Sequence, residues 1–428
     1  MPANSDPLPA PTTPPAVPSE TRRLSSRLSP RLEKLRRWHV GAALLCWNSI
    51  LLYVVLNLVL GAVFLIKDSR VTNPVSMHFG SRLDAVYPDL PEPARTRMLS
   101  EAWNRPYRYA DFIHFQESPC TGQYVNVSEA GFRHSIEQGP WPPSSEYFNV
   151  FCFGGSTMFA YGLPDQQTLA SCLQEVLGRD LKRRVCVYNF GVGWHFSTQE
   201  RLRFEQLLAA GHVPDCALFL DGINDTSLAW SNRPAFSPEL ADSFERVQAF
   251  GAQSPGRGAA SSRSSLVDAL FLNWPVGRAA RSLAARLQPA AVVTDAVSNI
   301  VTLDADQAAK GCDVYRWNRT LIEANARARG IIPIFIVQPA PGHQLDPAKH
   351  LFAKPELCRN EALFYAALKR DLSLHPPGKH LIWCADLAAT TPGPLYVDAC
   401  HYTAAFSRVI AAHIAAECRS RGLLNGPS

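Results

Sequence analysis

The chain has 428 residues, 46% hydrophobic and 10% aromatic, with a formal net charge of +5. That length suits one large domain or two small ones, and the apolar content excludes a wholly disordered chain. Much of the positive charge sits in one N-terminal cluster and the remainder is near balance, so nucleic-acid binding is not indicated.

Residues 2–30 are rich in Pro and Ser and poor in apolar side chains, the composition of a disordered tail. Arg22, Arg23, Arg27, Arg31, Lys34, Arg36 and Arg37 make residues 1–37 a basic tail as well. Val40–Ile66 follows with 27 residues and no charge, more than the roughly 20 needed to cross a bilayer. Asn48, Ser49 and Asn57 are too few to form the polar stripe of a core helix. No small-residue cleavage site follows, as a secretory signal would require. Only Lys67 and Arg70 stand nearby on the far side, so the positive-inside rule places the N-terminus in the cytoplasm. The expectation is a single-pass protein of the cytoplasmic (inner) membrane, with everything after residue 67 periplasmic or extracellular.

Residues 67–145 hold Trp103, Tyr107, Tyr109, Phe112, Phe115, Phe132 and Trp141. This is too apolar for a linker and is expected to pack on the domain that follows. Tyr147–Gly154 then reads as a buried strand, ended by Gly154-Gly155 with Ser156 on the turn. Val185–Asn189 is a second apolar strand, ended by Gly191. Ala217–Leu220 is a third, followed by Gly222, Asn224 and Asp225. Helical patterns near Asp165–Gly178 and Thr198–Gly211 separate them. This β-α-β-α-β order implies a parallel sheet with right-handed crossovers, so all three strand ends lie at one edge. Residues 230–305 form an insertion, with a Gly/Ser-rich loop at 251–265. Ile331–Val337 and His380–Ala385 supply two further strands, and Thr403–Cys418 a final helix. Between them, Asp398 and His401 stand three residues apart.

In α/β proteins the chemistry gathers at the carboxyl edge of the sheet. Ser156 there is a candidate nucleophile, His401 the base that would take its proton, and Asp398 the acceptor that would hold the imidazole. The amides of Ser156 and Gly191 and the side chain of Asn224 are candidate oxyanion donors. Each also has a plain structural role open to it. Gly191 could be a strand-to-loop turn, Asn224-Asp225 a helix cap and Asp398 the cap of the last helix. His195 and Asp221 read as supporting loop residues. No Cys-x-x-Cys pair or His-Glu-x-x-His motif stands out, so neither a metal nor a cofactor is expected.

Ser156, Gly191, Gly222-Ile223-Asn224-Asp225 and Asp398-Ala399-Cys400-His401 resemble, in order, the sequence blocks of the SGNH (GDSL-type) hydrolase superfamily. The resemblance covers roughly Tyr147 to Cys418 outside the insertion and implies that residues 146–422 form a catalytic domain with a three-layer fold and a central parallel sheet. It also implies a serine esterase in which Ser156, His401 and Asp398 are catalytic and Ser156, Gly191 and Asn224 form the oxyanion hole. One departure is visible: the usual Gly-Asp-Ser is Gly-Gly-Ser here, with Gly155 in place of the acid. An ester-bearing small molecule, a glycan or a lipid is the substrate class so implied. An O-acyltransferase, or a non-catalytic assembly protein keeping the fold, remains open. Outside a cytoplasm, disulfides are allowed, and Cys312, Cys358, Cys400 and Cys418 are the better candidates; Cys152, Cys186, Cys216 and Cys384 read as core residues.

Overall fold

A computed structural model describes residues 30–69, 80–181, 183–230, 274–277, 279 and 302–424. The tail through residue 29 and most of the 230–305 insertion lie outside the described residues. The chain divides into two compact units, one of residues 1–67 with 264–284, the other of 68–263 with 285–428.

The first unit is built on helix α1, Pro30–Ser69. Within it, residues 31–64 have a peak mean hydropathy of 2.1 and almost no burial, which is long and apolar enough for a membrane span. The helix continues past the apolar run at both ends.

The second unit is organised by five parallel strands: β5 (Phe148–Gly154), β6 (Val185–Asn189), β7 (Cys216–Asp221), β8 (Ile332–Val337) and β9 (Leu381–Trp383). Their spatial order is β6-β5-β7-β8-β9. Counting only these strands, this is 2-1-3-4-5, the flavodoxin-like doubly wound order, whose crevice opens between the first and third strands. Alternation along β5 sends Val150 and Cys152 to one face, Phe151 and Phe153 to the other. The first face packs on α4 (Leu169–Leu181) and α9 (Ala404–Ser420). The second packs on α5 (Ser197–Ala209), α7 (Ala305–Arg329) and α8 (Pro355–Leu374). The result is a three-layer α/β fold, with the parallel sheet expected from the strand pattern at its centre. Gly178 lies inside α4 rather than ending it, and Asp165–Gln167 form a separate short 3-10 turn.

The aromatic segment is part of this same unit. It carries α2 (Glu92–Trp103) and four short strands: β1 (Tyr107–Ala110), β2 (His114–Glu117), β3 (Cys120–Thr121) and β4 (Asn126–Val127). β1 pairs antiparallel with β2, and β3 with β4. Arg133 bonds through its backbone to Asn189 at the end of β6. All eleven cysteines are free, which corrects the expectation of bridges at Cys312, Cys358, Cys400 and Cys418. Cys312 and Cys418 are spent as core packing, like Cys152, Cys186, Cys216 and Cys384.

Candidate active site

Ser156 opens α3, a single turn over Ser156–Phe159 directly after β5. Asn224 stands in the first turn of α6 (Ile223–Trp230), directly after β7. Because β5 and β7 are neighbours, both residues lie at the crevice that the strand order creates.

Their mutual position explains Gly155. A Cβ added at Gly155 would sit 2.1 Å from Asn224 Nδ2 and 3.0 Å from the His195 carbonyl oxygen. The Asn224 amide therefore fills the space that an aspartate would need. Asn224 Nδ2 donates to the His195 oxygen at 2.6 Å, which fixes the side chain beside the Gly155-Ser156 backbone. Asp225 holds the same turn, accepting from the Gly222 amide at 3.3 Å and from Ser197 Oγ at 2.6 Å.

Gly191 has a different place. Its N–H donates to Asn189 Oδ1 at 3.0 Å, so in this conformation the amide is already engaged and does not face an oxyanion. A Cβ there would meet the Phe159 amide nitrogen at 2.4 Å, so its requirement for glycine is close packing against the turn that carries Ser156.

Asp398 and His401 share a tight loop closed by Val397 N–H to His401 O (2.8 Å) and Thr403 N–H to Leu395 O (2.8 Å). Their side chains meet at 2.6 Å, His401 Nδ1 to Asp398 Oδ2, and both residues are about 95% buried. Asp398 Oδ1 also accepts from the amides of Cys400 and His401, both at 2.9 Å. Asp398 is therefore not the cap of the last helix; Thr403 is, accepting from the Phe406 amide. Burial alone would raise the Asp398 pKa, but the His401 charge and these hydrogen bonds outweigh it and hold the carboxyl below its usual range. Burial alone would lower the His401 pKa, and the Asp398 charge outweighs that too, so the imidazole is raised well above its usual value.

Asp398, Cys400 and His401 present ligand-type atoms within 4.8 Å of one another. A zinc ion bonded at about 2.0–2.2 Å to both side chains would have to part them. At 2.6 Å, Asp398 Oδ2 and His401 Nδ1 are a hydrogen-bonded pair with no room for an ion between them.

No hydrogen bond joins Ser156 Oγ to His401 here; the described bonds of the His401 ring go to Asp398 and Cys400. What ties the two loops together is Gln338, the residue after β8. Its Oε1 accepts from Thr157 Oγ1 at 2.7 Å and from the Tyr402 hydroxyl at 3.0 Å. The residue after Ser156 and the residue after His401 thus share one acceptor atom. Sequence reasoning missed Gln338, although its place at the carboxyl end of an apolar strand was a usable signal.

The aromatic segment completes the surroundings. The Trp103 ring meets His401 edge-on at 5.3 Å and Tyr161 lies at 5.4 Å. The Tyr161 hydroxyl donates to Glu117 Oε1 at 3.0 Å, and the buried Glu117 is paired with the largely buried Arg105 side chain at 3.0 Å. Arg133, with no solvent exposure, donates to Asp165 Oδ1 at 2.9 Å and to the carbonyls of Phe159, Ala160 and Leu163 at 2.5–2.8 Å. It clamps the chain where it leaves the Ser156 turn through Ala160, a left-handed residue at φ 67°.

His195 and Asp221 are buried supports. Burial pushes the His195 imidazole down to about 3, so it is neutral, and its Nε2 bonds to the Phe115 carbonyl at 3.0 Å. Burial raises the Asp221 and Glu200 carboxyls well above their usual range. A cavity of about 350 Å³ lined by Lys349, His350, Thr391 and Tyr396 adjoins the Asp398–His401 loop through His350 Nε2 and the Ala399 carbonyl. Its lining includes neither Ser156 nor His401.

No family model and no curated protein matches the chain. Solved structures similar to it include a putative lipolytic protein of the G-D-S-L family from Desulfitobacterium hafniense, with 10% identity, a TM-score of 0.33, and coverage of 63% of this chain and 99% of that one. A psychrotrophic esterase from Pseudoalteromonas sp. gives 11%, 0.32, 64% and 97% in the same order. A catalytic mutant of an acetylxylan esterase from Geobacillus stearothermophilus gives 12%, 0.35, 67% and 98%. Likeness this distant assigns no activity; the fold rests on the strand order described above.

Proposed function

We propose that the protein is a membrane-anchored serine esterase that cleaves ester-linked acyl groups on an envelope glycan or a lipid. The buried Asp398–His401 pair, tied through Gln338 to the turn that carries Ser156, is the observation that carries this reading. His401 accepts the Ser156 proton as Oγ attacks the ester carbonyl, and Asp398 stabilises the imidazolium that forms. The Ser156 amide and the Asn224 side-chain amide meet the oxyanion once Asn224 turns from the His195 carbonyl, and the protonated His401 then gives its proton to the leaving alkoxide. Catalytic hydrogen bonds commonly tighten only when substrate binds, which accommodates the open Ser156–His401 contact. A fluorophosphonate probe tests the reading: modification of Ser156 supports it, and a folded protein left unmodified at Ser156 overturns it.

A second reading, an O-acyltransferase using the same acyl-enzyme, is favoured by one feature. Trp103 and Tyr161 cover the His401 ring and would keep water from the intermediate. With an activated aryl acetate, a hydrolase releases acetate without help. A transferase turns over slowly and accelerates when a glycan acceptor is added, with the acyl group recovered on the sugar.

A further inference from the structure

The insertion that follows α6 returns to the anchor helix. Among the described residues of the apolar run, Asn57 alone is buried, only 7% accessible. Its Nδ2 donates to the Tyr53 carbonyl in its own helix at 2.8 Å, and its Oδ1 accepts the Val276 backbone N–H at 3.1 Å. The Trp274 ring stacks on Tyr53 with centroids 5.5 Å apart and planes 21° from parallel. Pro275 comes so close to Gly61 that a Cβ there would lie 3.6 Å from Pro275 Cγ. Tyr53, Asn57 and Gly61 are four residues apart and so share one helix face.

The chemistry fits a lipid setting. Asn57 stands nine residues before the end of the uncharged run, about 13 Å along the helix at 1.5 Å per residue. A backbone N–H at that depth has no water to bond and must find a protein acceptor. Residues 275–277 are helical, with Pro275 first, so the Val276 N–H has no acceptor within its own turn. Asn57 supplies one, and its own amide is satisfied in return. Residues 264–284 include Asp268, Arg278 and Arg281, too many charges for a second full crossing.

We infer that residues 274–276 dock within the bilayer on the Tyr53–Asn57–Gly61 face of α1, so that the extracytoplasmic chain is held to its anchor at two points rather than one. The inference rests on α1 being a membrane span but not on the esterase reading. The test uses the full chain in membranes, in a Cys46→Ser background. Tyr53→Cys with Trp274→Cys should form a disulfide under copper–phenanthroline, identified by mass spectrometry, and Val55→Cys with Trp274→Cys should not. Trp274→Cys and Leu45→Cys should resist an impermeant maleimide in intact membranes, whereas Ser262→Cys should react. Asn57→Leu should lower the 53–274 cross-link roughly threefold or more. Failure of the 53–274 link, or reaction of Trp274→Cys as fast as Ser262→Cys, overturns the docking. Reaction of Leu45→Cys overturns the membrane span and the docking with it.

Discussion

Gly155→Ala is the most direct probe of the crevice. The backbone at Gly155 is extended with a negative φ (φ −79°, ψ −154°), so the substitution demands no left-handed conformation. The effect is steric. The new methyl would stand 2.1 Å from Asn224 Nδ2, where ordinary contact begins at 3.4 Å, so the amide must retreat by more than 1 Å. The His195 carbonyl at 3.0 Å closes the other direction. Displacing or losing one oxyanion donor costs about 10²–10³ in kcat, because the charge it meets develops only in the transition state. Turnover of an aryl acetate should therefore fall about a hundredfold with KM little changed and the thermal transition nearly intact. Asn224→Ala should fall by a similar factor. The double variant should be no worse than Asn224→Ala alone, because the methyl acts only by moving a donor that is then absent. Full activity in Gly155→Ala, or additive losses in the double variant, would refute the placement of Asn224 as an oxyanion donor.

The same geometry sets further outcomes. Arg133→Met should destabilise the second unit by about 3–5 kcal/mol in urea unfolding, since it strands a buried carboxylate, and adding Asp165→Asn should restore part of the loss; a change below about 1 kcal/mol would remove the clamp. His401 must be neutral to act as base, and its pKa lies well above the usual 6.5, so kcat/KM should decline as pH falls through that raised value. The same shift makes the His401 contribution to stability complete below pH 6.5 and lost as pH rises through the folded-state pKa, whereas Asp398, held below its usual range, loses its own contribution as the pH falls through its lowered value. Asp398→Asn should move the limb to lower pH and cut kcat by about 10⁴; an acid limb at or below pH 6.5 in the unaltered protein would contradict the assignment. Gln338→Leu should lower kcat more than it raises KM and cost about 1–3 kcal/mol, because it strands the buried Thr157 hydroxyl. Equal kcat in that variant would reduce Gln338 to packing.

The sheet was legible in the sequence because its strands are short apolar runs, each cut off by glycine or a polar residue, and a parallel sheet buries both faces. Ser156, Asn224 and the Asp398–His401 spacing were legible because each follows such a run or stands in one short loop. Gln338 is placed the same way after β8 but has no motif around it. Arg133, Glu117, Trp103 and Tyr161 were not legible as site neighbours. Their roles depend on long-range packing between the aromatic segment and the Ser156 turn, and no local period encodes that. Gly191 shows the reverse limit: a motif marks the residue, yet only coordinates reveal that its amide is bonded to Asn189.

The Arg133 clamp bears on where this protein can be cut. The motifs begin at residue 147, which invites a fragment starting there. Such a fragment would lose the guanidinium that bonds Phe159, Ala160 and Leu163, and would leave Asp165 buried without its counter-ion. It would also lose the Arg105–Glu117 support beneath Tyr161. The smallest autonomous piece thus reaches well upstream of the recognisable blocks. Grafting the blocks alone onto a different leader, as domain shuffling would, should yield an insoluble chain rather than a smaller working one.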